Sequence, residues 1–139
     1  MVRVAISGYF DPLHVGHLEY MRLSKQLGDK LIVIVNNDKQ AILKKGKPFM
    51  PEDIRVEIVK AIKWVDEVFL SIDEDSSVCK SLAVVKPDIF TNGGDRHNYE
   101  IPEAKVCREL GIELREGMGE KIQSSSYFVK RSENGEKKD

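Results

Sequence analysis

The chain has 139 residues, with 22 Lys or Arg against 23 Asp or Glu and a formal net charge of −1. That length fits one core, and 41% apolar with 32% charged residues is an ordinary soluble composition. The balanced charge argues against a protein that coats nucleic acid. No apolar run approaches the roughly 20 residues a membrane span needs, so no membrane is expected.

The N-terminus runs straight into an apolar strand pattern, residues 2–7, with no signal peptide, which favours a cytoplasmic protein. Residues 13–27 read as a helix with Leu18, Met21, Leu23 and Leu27 on its apolar face, and Gly28 suits a left-handed C-cap. Residues 31–35, Leu-Ile-Val-Ile-Val, are apolar on both faces, as a central parallel strand should be. Residues 39–51 read as an irregular basic stretch. Pro51 opens the next helix, with Ile54, Ile58, Val59 and Ile62 as its buried stripe.

A short strand is predicted at Glu67–Leu70, then a helix capped by Ser76 or Ser77 and running to Val85. Residues 87–91 form a strand, residues 102–110 a helix ended by Gly111, and residues 112–115 a last strand. Ser124–Ser126 can cap a final helix, Tyr127–Arg131. Residues 132–139 are polar and expected to fray, which leaves residues 1–131 as a single domain. Cys79 and Cys107 sit inside predicted helices with apolar neighbours and read as buried thiols.

Strands alternate with helices throughout. This predicts an α/β fold, a Rossmann-like doubly wound parallel five-stranded sheet with helices on both faces. Ligands of such sheets bind beyond the strand C-terminal ends, at the point where the strand order reverses. Four polar loops fall on that edge: Gly8–His17, Asn36–Lys47, Gly93–Asn98 and Glu116–Ser126.

The first loop, Gly8-Tyr9-Phe10-Asp11-Pro12-Leu13-His14-Val15-Gly16-His17, joins a strand to a helix start, where free N–H groups and the helix dipole favour an anion. Three readings are open for His14 and His17. They are a metal pair needing a third ligand such as Asp11, a pair that only hydrogen-bonds the turn, or two imidazoles donating to a phosphate. Lys44 and Lys47 follow the strand next to the first and can fold over the same edge, although a lysine run is also an ordinary solvated face. Arg55 and Lys63 lie eight apart on the next helix and so share a face, from which one or both could reach the same anion, with a surface role as the alternative for each. Gly93-Gly94-Asp95 is a turn where backbone can approach a ring or ribose closely. Other phosphate and catalytic signatures, GxxxxGK[ST], GxGxxG and GxSxG, are absent.

The segment Gly8–His17 resembles the HxGH signature of the cytidylyltransferase-like nucleotidyltransferases. That family includes glycerol-3-phosphate cytidylyltransferase, the adenylyltransferase domain of ADP-heptose synthesis and archaeal FAD synthetase. Trp64–Val68 resembles the family's RxVDEV segment, Lys86-Pro87-Asp88 with Gly93-Gly94-Asp95 its KPD…GGD stretch, and Ile122–Ser126 its ISTT or SSS segment. The resemblance reaches about Arg131. It implies an enzyme that joins a nucleoside monophosphate to a small phosphorylated acceptor and releases pyrophosphate, without a covalent enzyme intermediate.

By similarity, His14, His17 and Lys44 act on the triphosphate, and Tyr9, Phe10, Asp11 and Gly16 lie against the nucleotide. Gly94 and Asp95 hold base and ribose, and Ser124, Ser125 and Ser126 hold the leaving phosphates. Arg55 sits where the family places a basic residue near the acceptor phosphate. Lys63 stands where it has an arginine, without the bidentate fork. Magnesium is expected on the phosphates, held mainly by substrate and water, with no protein metal site. The double glycine favours ATP over CTP. The preferred acceptor is a phosphorylated sugar or polyol, with glycerol phosphate (using CTP) and FMN as alternatives, and a nucleotide-binding regulator as the non-enzyme alternative. Dimerisation rests on the resemblance alone.

Overall fold

Val4 and Ile6 in the first strand, and Leu31, Val33 and Val35 in the second, are buried in one core; Ala5, Ile32 and Ile34 between them are buried in another. That alternation is what a sheet covered on both sides requires. The computed structural model describes residues 1–93 and 101–118. Five strands, β1 (Arg3–Gly8), β2 (Lys30–Val35), β3 (Glu67–Leu70), β4 (Ile89–Gly93) and β5 (Glu113–Met118), form one sheet in the order β3-β2-β1-β4-β5. All four pairings are parallel. The order reverses between β1 and β4, so the doubly wound topology expected from the sequence is present.

The helices are α1 (Val15–Lys25), α2 (Asp38–Lys45), α3 (Glu52–Lys60), α4 (Cys79–Val85) and α5 (Pro102–Leu110). Tyr20 and Met21 of α1 and Val59 of α3 fill the first core, while Leu82 and Val85 of α4 and Cys107 of α5 fill the second. Helices therefore cover both faces. Both cysteines lie in helices as expected: Cys107 is buried and Cys79 half-buried.

Three local expectations are corrected. Residues 38–45 are helical, not irregular. Asn37 caps α2 by accepting the Gln40 N–H, and the Gln40 side chain accepts the Asn37 N–H in return. The cap of α4 comes chiefly from Asp73, which accepts the N–H groups of Lys80 and Ser81, while Ser77 Oγ accepts only the Cys79 N–H. Gly28 is not a left-handed cap, since the only glycines at positive φ among the described residues are Gly46 and Gly111. It is needed because a Cβ there would lie 2.8 Å from the Val2 carbonyl oxygen. The expected final helix, Tyr127–Arg131, and the tail 132–139 lie outside the described residues.

Candidate active site

The turn after β1 is built around a buried ring. Phe10 has φ 52° and is 2% exposed. Its ring packs over Gly8 so closely that a Cβ on Gly8 would lie 2.7 Å from Phe10 Cζ. The chain then reaches α1 through Asp11, Pro12 and Leu13, and His14 is the N-cap of that helix.

The two histidines form the capping box that Ser and Glu side chains usually form. His14 Nδ1 accepts the Gly16 N–H at 3.1 Å, and His17 Nδ1 accepts the His14 N–H at 3.1 Å. The imidazoles stack at a centroid distance of 3.9 Å, and the Phe10 ring meets His17 edge-on at 5.0 Å. A ring nitrogen that accepts a hydrogen bond carries no proton, so each neutral imidazole carries its proton on Nε2. Burial, aided by the charge His14 would carry, lowers the His17 pKa to about 4. His17 is therefore neutral near pH 7, a donor at Nε2 without a positive charge.

This arrangement alters how an anion would meet the helix start. Two of the N–H groups there are already taken, by the histidines themselves. What the turn presents in their place is imidazole N–H. Both histidines line a cleft of about 480 Å³ over the C-terminal ends of the strands, beside Gly8, Tyr9, Phe10 and Asp11. The cleft is also lined by Asn36 after β2, Lys44 of α2, Ser76 and Val78 before α4, and Glu103 of α5.

Lys44 is exposed, and its ammonium lies 4.7 Å from the centre of the Tyr9 ring, so it is at the cleft as the sequence suggested. Asp11 lines the cleft too, but its carboxylate also has structural work: Oδ2 accepts the Phe49 N–H and Oδ1 the Met50 N–H, both at 2.7 Å. It thereby ties the loop before α3 to the turn after β1. Tyr20 donates to the Thr91 carbonyl at 2.6 Å and fastens α1 to β4, the strands' reversal point.

Two basic residues are not where phosphate could reach them. Arg55 is fully buried behind the cleft. It donates to the carbonyls of Met50, Tyr9 and Asn36 and to Asp38 Oδ1, at 2.7–2.9 Å. Its guanidinium fastens three loops together and has no face left for an acceptor phosphate. Lys63 lies beyond the end of α3, before β3, where Asp66 pairs with Leu31 at the start of β2. That is the N-terminal edge of the sheet, opposite the cleft. Its ammonium lies over Trp64, 5.1 Å from the ring centre.

Gly94, Asp95, Ser124, Ser125 and Ser126 lie outside the described residues. Among the described residues no three His, Cys, Asp or Glu side chains converge to hold a metal ion. The histidine pair has both Nδ1 atoms committed to backbone. Glu103, Asn36 and Tyr20 were not singled out in the sequence. Nothing local marks Glu103 or Tyr20, whereas Asn36 opens the second of the four polar loops on the ligand edge.

A model of the cytidylyltransferase-like family matches residues 5–134. The chain belongs to that family. It is 40% identical over 115 residues to a protein of Archaeoglobus profundus named FAD synthase, covering 83% of this chain and 72% of that one. It is 37% identical over 135 residues to a FAD synthase of Methanoculleus marisnigri, covering 94% and 89%. A solved structure described as the lipopolysaccharide core biosynthesis protein of Thermoplasma volcanium superposes with a TM-score of 0.70. It is 36% identical, covering 84% of this chain and 94% of that one. As a cytidylyltransferase-like protein the chain is a nucleotidyltransferase, an enzyme that uses a nucleoside triphosphate. Among the described residues no helix is long and apolar enough to cross a membrane.

Proposed function

We propose that this nucleotidyltransferase transfers AMP from ATP to the phosphate of flavin mononucleotide, forming FAD and pyrophosphate. The observation that carries it is the group of relatives named FAD synthase, 36–40% identical over most of this chain. It displaces the phosphorylated sugar or polyol preferred from the sequence; among the acceptors considered there, FMN was the last alternative. The double-glycine argument for ATP over CTP agrees with it.

In the reaction an FMN phosphate oxygen attacks the α-phosphorus of ATP, the new P–O–P bond forms, and the bond to the bridging oxygen of pyrophosphate breaks. The protein's work is to position the two phosphates in line and to stabilise the charge on their oxygens. His14 and His17 would donate Nε2–H bonds to α-phosphate oxygens as they gain charge. Such bonds strengthen in the transition state, which is where they raise turnover. Lys44 would meet the leaving phosphates as a point charge. Gly94 and Asp95 would hold base and ribose, and Ser124–Ser126 the leaving phosphates. Magnesium would accompany the phosphates, with phosphate oxygens and water as its main ligands.

The test is product analysis. ATP and CTP are each incubated with FMN, a sugar phosphate panel and glycerol phosphate, following pyrophosphate and the joined product. ATP with FMN should give FAD at the highest kcat/KM. Turnover with a sugar phosphate and none with FMN would return the reaction to the sugar reading.

A further inference from the structure

Glu103 is an unusual residue to find in the wall of a site for polyphosphate. It belongs to the first turn of α5, is 8% exposed and lines the cleft. Its Oε2 accepts the Val78 N–H at 2.9 Å. Among the described residues its other oxygen, Oε1, takes no hydrogen bond and the carboxylate has no ion pair. Among the described residues Oε1 is not one of the enclosed unpaired atoms, so it opens to the cleft that Glu103 lines, where a bound group can replace water as its donor. A helix tie alone would need only one of the two oxygens.

The chemistry of that donor follows from the surroundings. A carboxylate repels phosphate, so this end of the cleft must take an uncharged part of a substrate. The cationic and imidazole donors, Lys44, His14 and His17, line the same cleft and suit the phosphates. Beside Glu103 stands Val78, 1% exposed and apolar. An apolar wall next to one hydrogen-bond acceptor suits the edge of a flat heterocycle that carries N–H. We propose that Glu103 is a substrate-recognition residue whose Oε1 accepts a hydrogen bond from a ring N–H of a bound substrate. Two groups of the proposed reaction have that chemistry, the imide N–H of the flavin and the exocyclic amine of adenine. The proposal rests on the FAD-forming reading for its choice of substrates.

Glu103→Gln tests it. Glutamine keeps an oxygen for the Val78 N–H and turns the cleft-facing atom from acceptor to donor. The KM of one substrate should rise about 10- to 100-fold, the loss expected for one hydrogen bond to a charged group. The other KM and the Tm should not change. In parallel, the wild-type enzyme is assayed with 3-methyl-FMN, which lacks the imide hydrogen, and with N6,N6-dimethyl-ATP, which lacks the amine hydrogens. The analogue that loses on the wild type, and loses nothing further on the variant, identifies the donor. Unchanged KM values in the variant, or both analogues used as well as their parents, would overturn the proposal and leave Glu103 as a helix tie. If the variant does not fold, the wild-type analogue series decides alone. If the wild type makes no FAD at all, the reaction reading fails separately, and equilibrium binding of ATP and its dimethyl analogue still tests Glu103.

Discussion

His14 and His17 each use Nδ1 to cap the helix they stand on, and their rings stack 3.9 Å apart. One atom of each ring is therefore structural, and the other, Nε2, is available for chemistry. The two roles can be separated by substitution. Asparagine at position 17 keeps an acceptor near the place of Nδ1 and has nothing at Nε2. His17→Asn should hold the fold and lose about 10²- to 10³-fold in kcat, the usual cost of one transition-state donor. His17→Ala should lose the same turnover and about 1 kcal/mol of stability as well, through the broken cap. Circular-dichroism melts and initial rates on both variants give the comparison. Equal turnover in wild type and His17→Asn would end the catalytic assignment.

The lowered His17 pKa makes a stability prediction of definite sign. The unfolded imidazole titrates near 6.5 and the folded one near 4, because burial penalises the charged ring. As pH falls, the unfolded chain takes up the proton first. The contribution of His17 to stability is complete above pH 6.5 and is lost progressively down to pH 4. Urea midpoints measured across that window should fall less steeply for His17→Asn than for the wild type. Parallel curves would mean that His17 is not held neutral. An NMR titration of the ring proton reads the same pKa directly.

Arg55 separates a structural residue from a substrate ligand. With its guanidinium bonded to the Tyr9, Asn36 and Met50 carbonyls and to Asp38, removal strands buried acceptors in three loops. Arg55→Ala should cost on the order of 3–5 kcal/mol in denaturant unfolding, the range for breaking a buried charged pair. Arg55→Lys should recover little, because an ammonium cannot spread over four acceptors. An acceptor-phosphate role would give the opposite result, a normal Tm with a raised KM for the acceptor.

What could be read from the sequence follows from how local each signal is. The strands and α5 were legible because their apolar runs and turn residues are contiguous: Glu67–Leu70 and Pro102–Leu110 have the predicted bounds. The α2 helix was hidden because Ile42 and Leu43 are exposed, leaving no apolar stripe. Its signal was the cap, Asn37 followed three residues later by Gln40. His14, His17 and Lys44 were legible as neighbours of one sheet edge, since β1 and β2 pair side by side. Arg55 and Lys63 misled for one shared reason. A sequence gives spacing along a helix, but not whether the side chain points inward or at which end of the sheet the helix stops. Glu103 had no signal, because its partner Val78 lies 25 residues away.

Lys44 offers a test that leaves the fold untouched. It is exposed, and its ammonium lies over the Tyr9 ring. Lys44→Met keeps an unbranched apolar side chain of similar length and removes the charge. Its Tm should match the wild type. Its kcat/KM for the triphosphate should fall about 10- to 100-fold, as expected for the loss of one charge-assisted contact to a phosphate. The gap between wild type and variant should narrow as salt is raised from about 0.01 M to 1 M, because an exposed charge is screened over a shorter distance. Lys44→Arg should recover part of the rate, since it restores the charge on a different fork. A Lys44→Met enzyme with wild-type kcat/KM at low salt would show that Lys44 merely covers Tyr9, and the leaving phosphates would then need their cation from another residue.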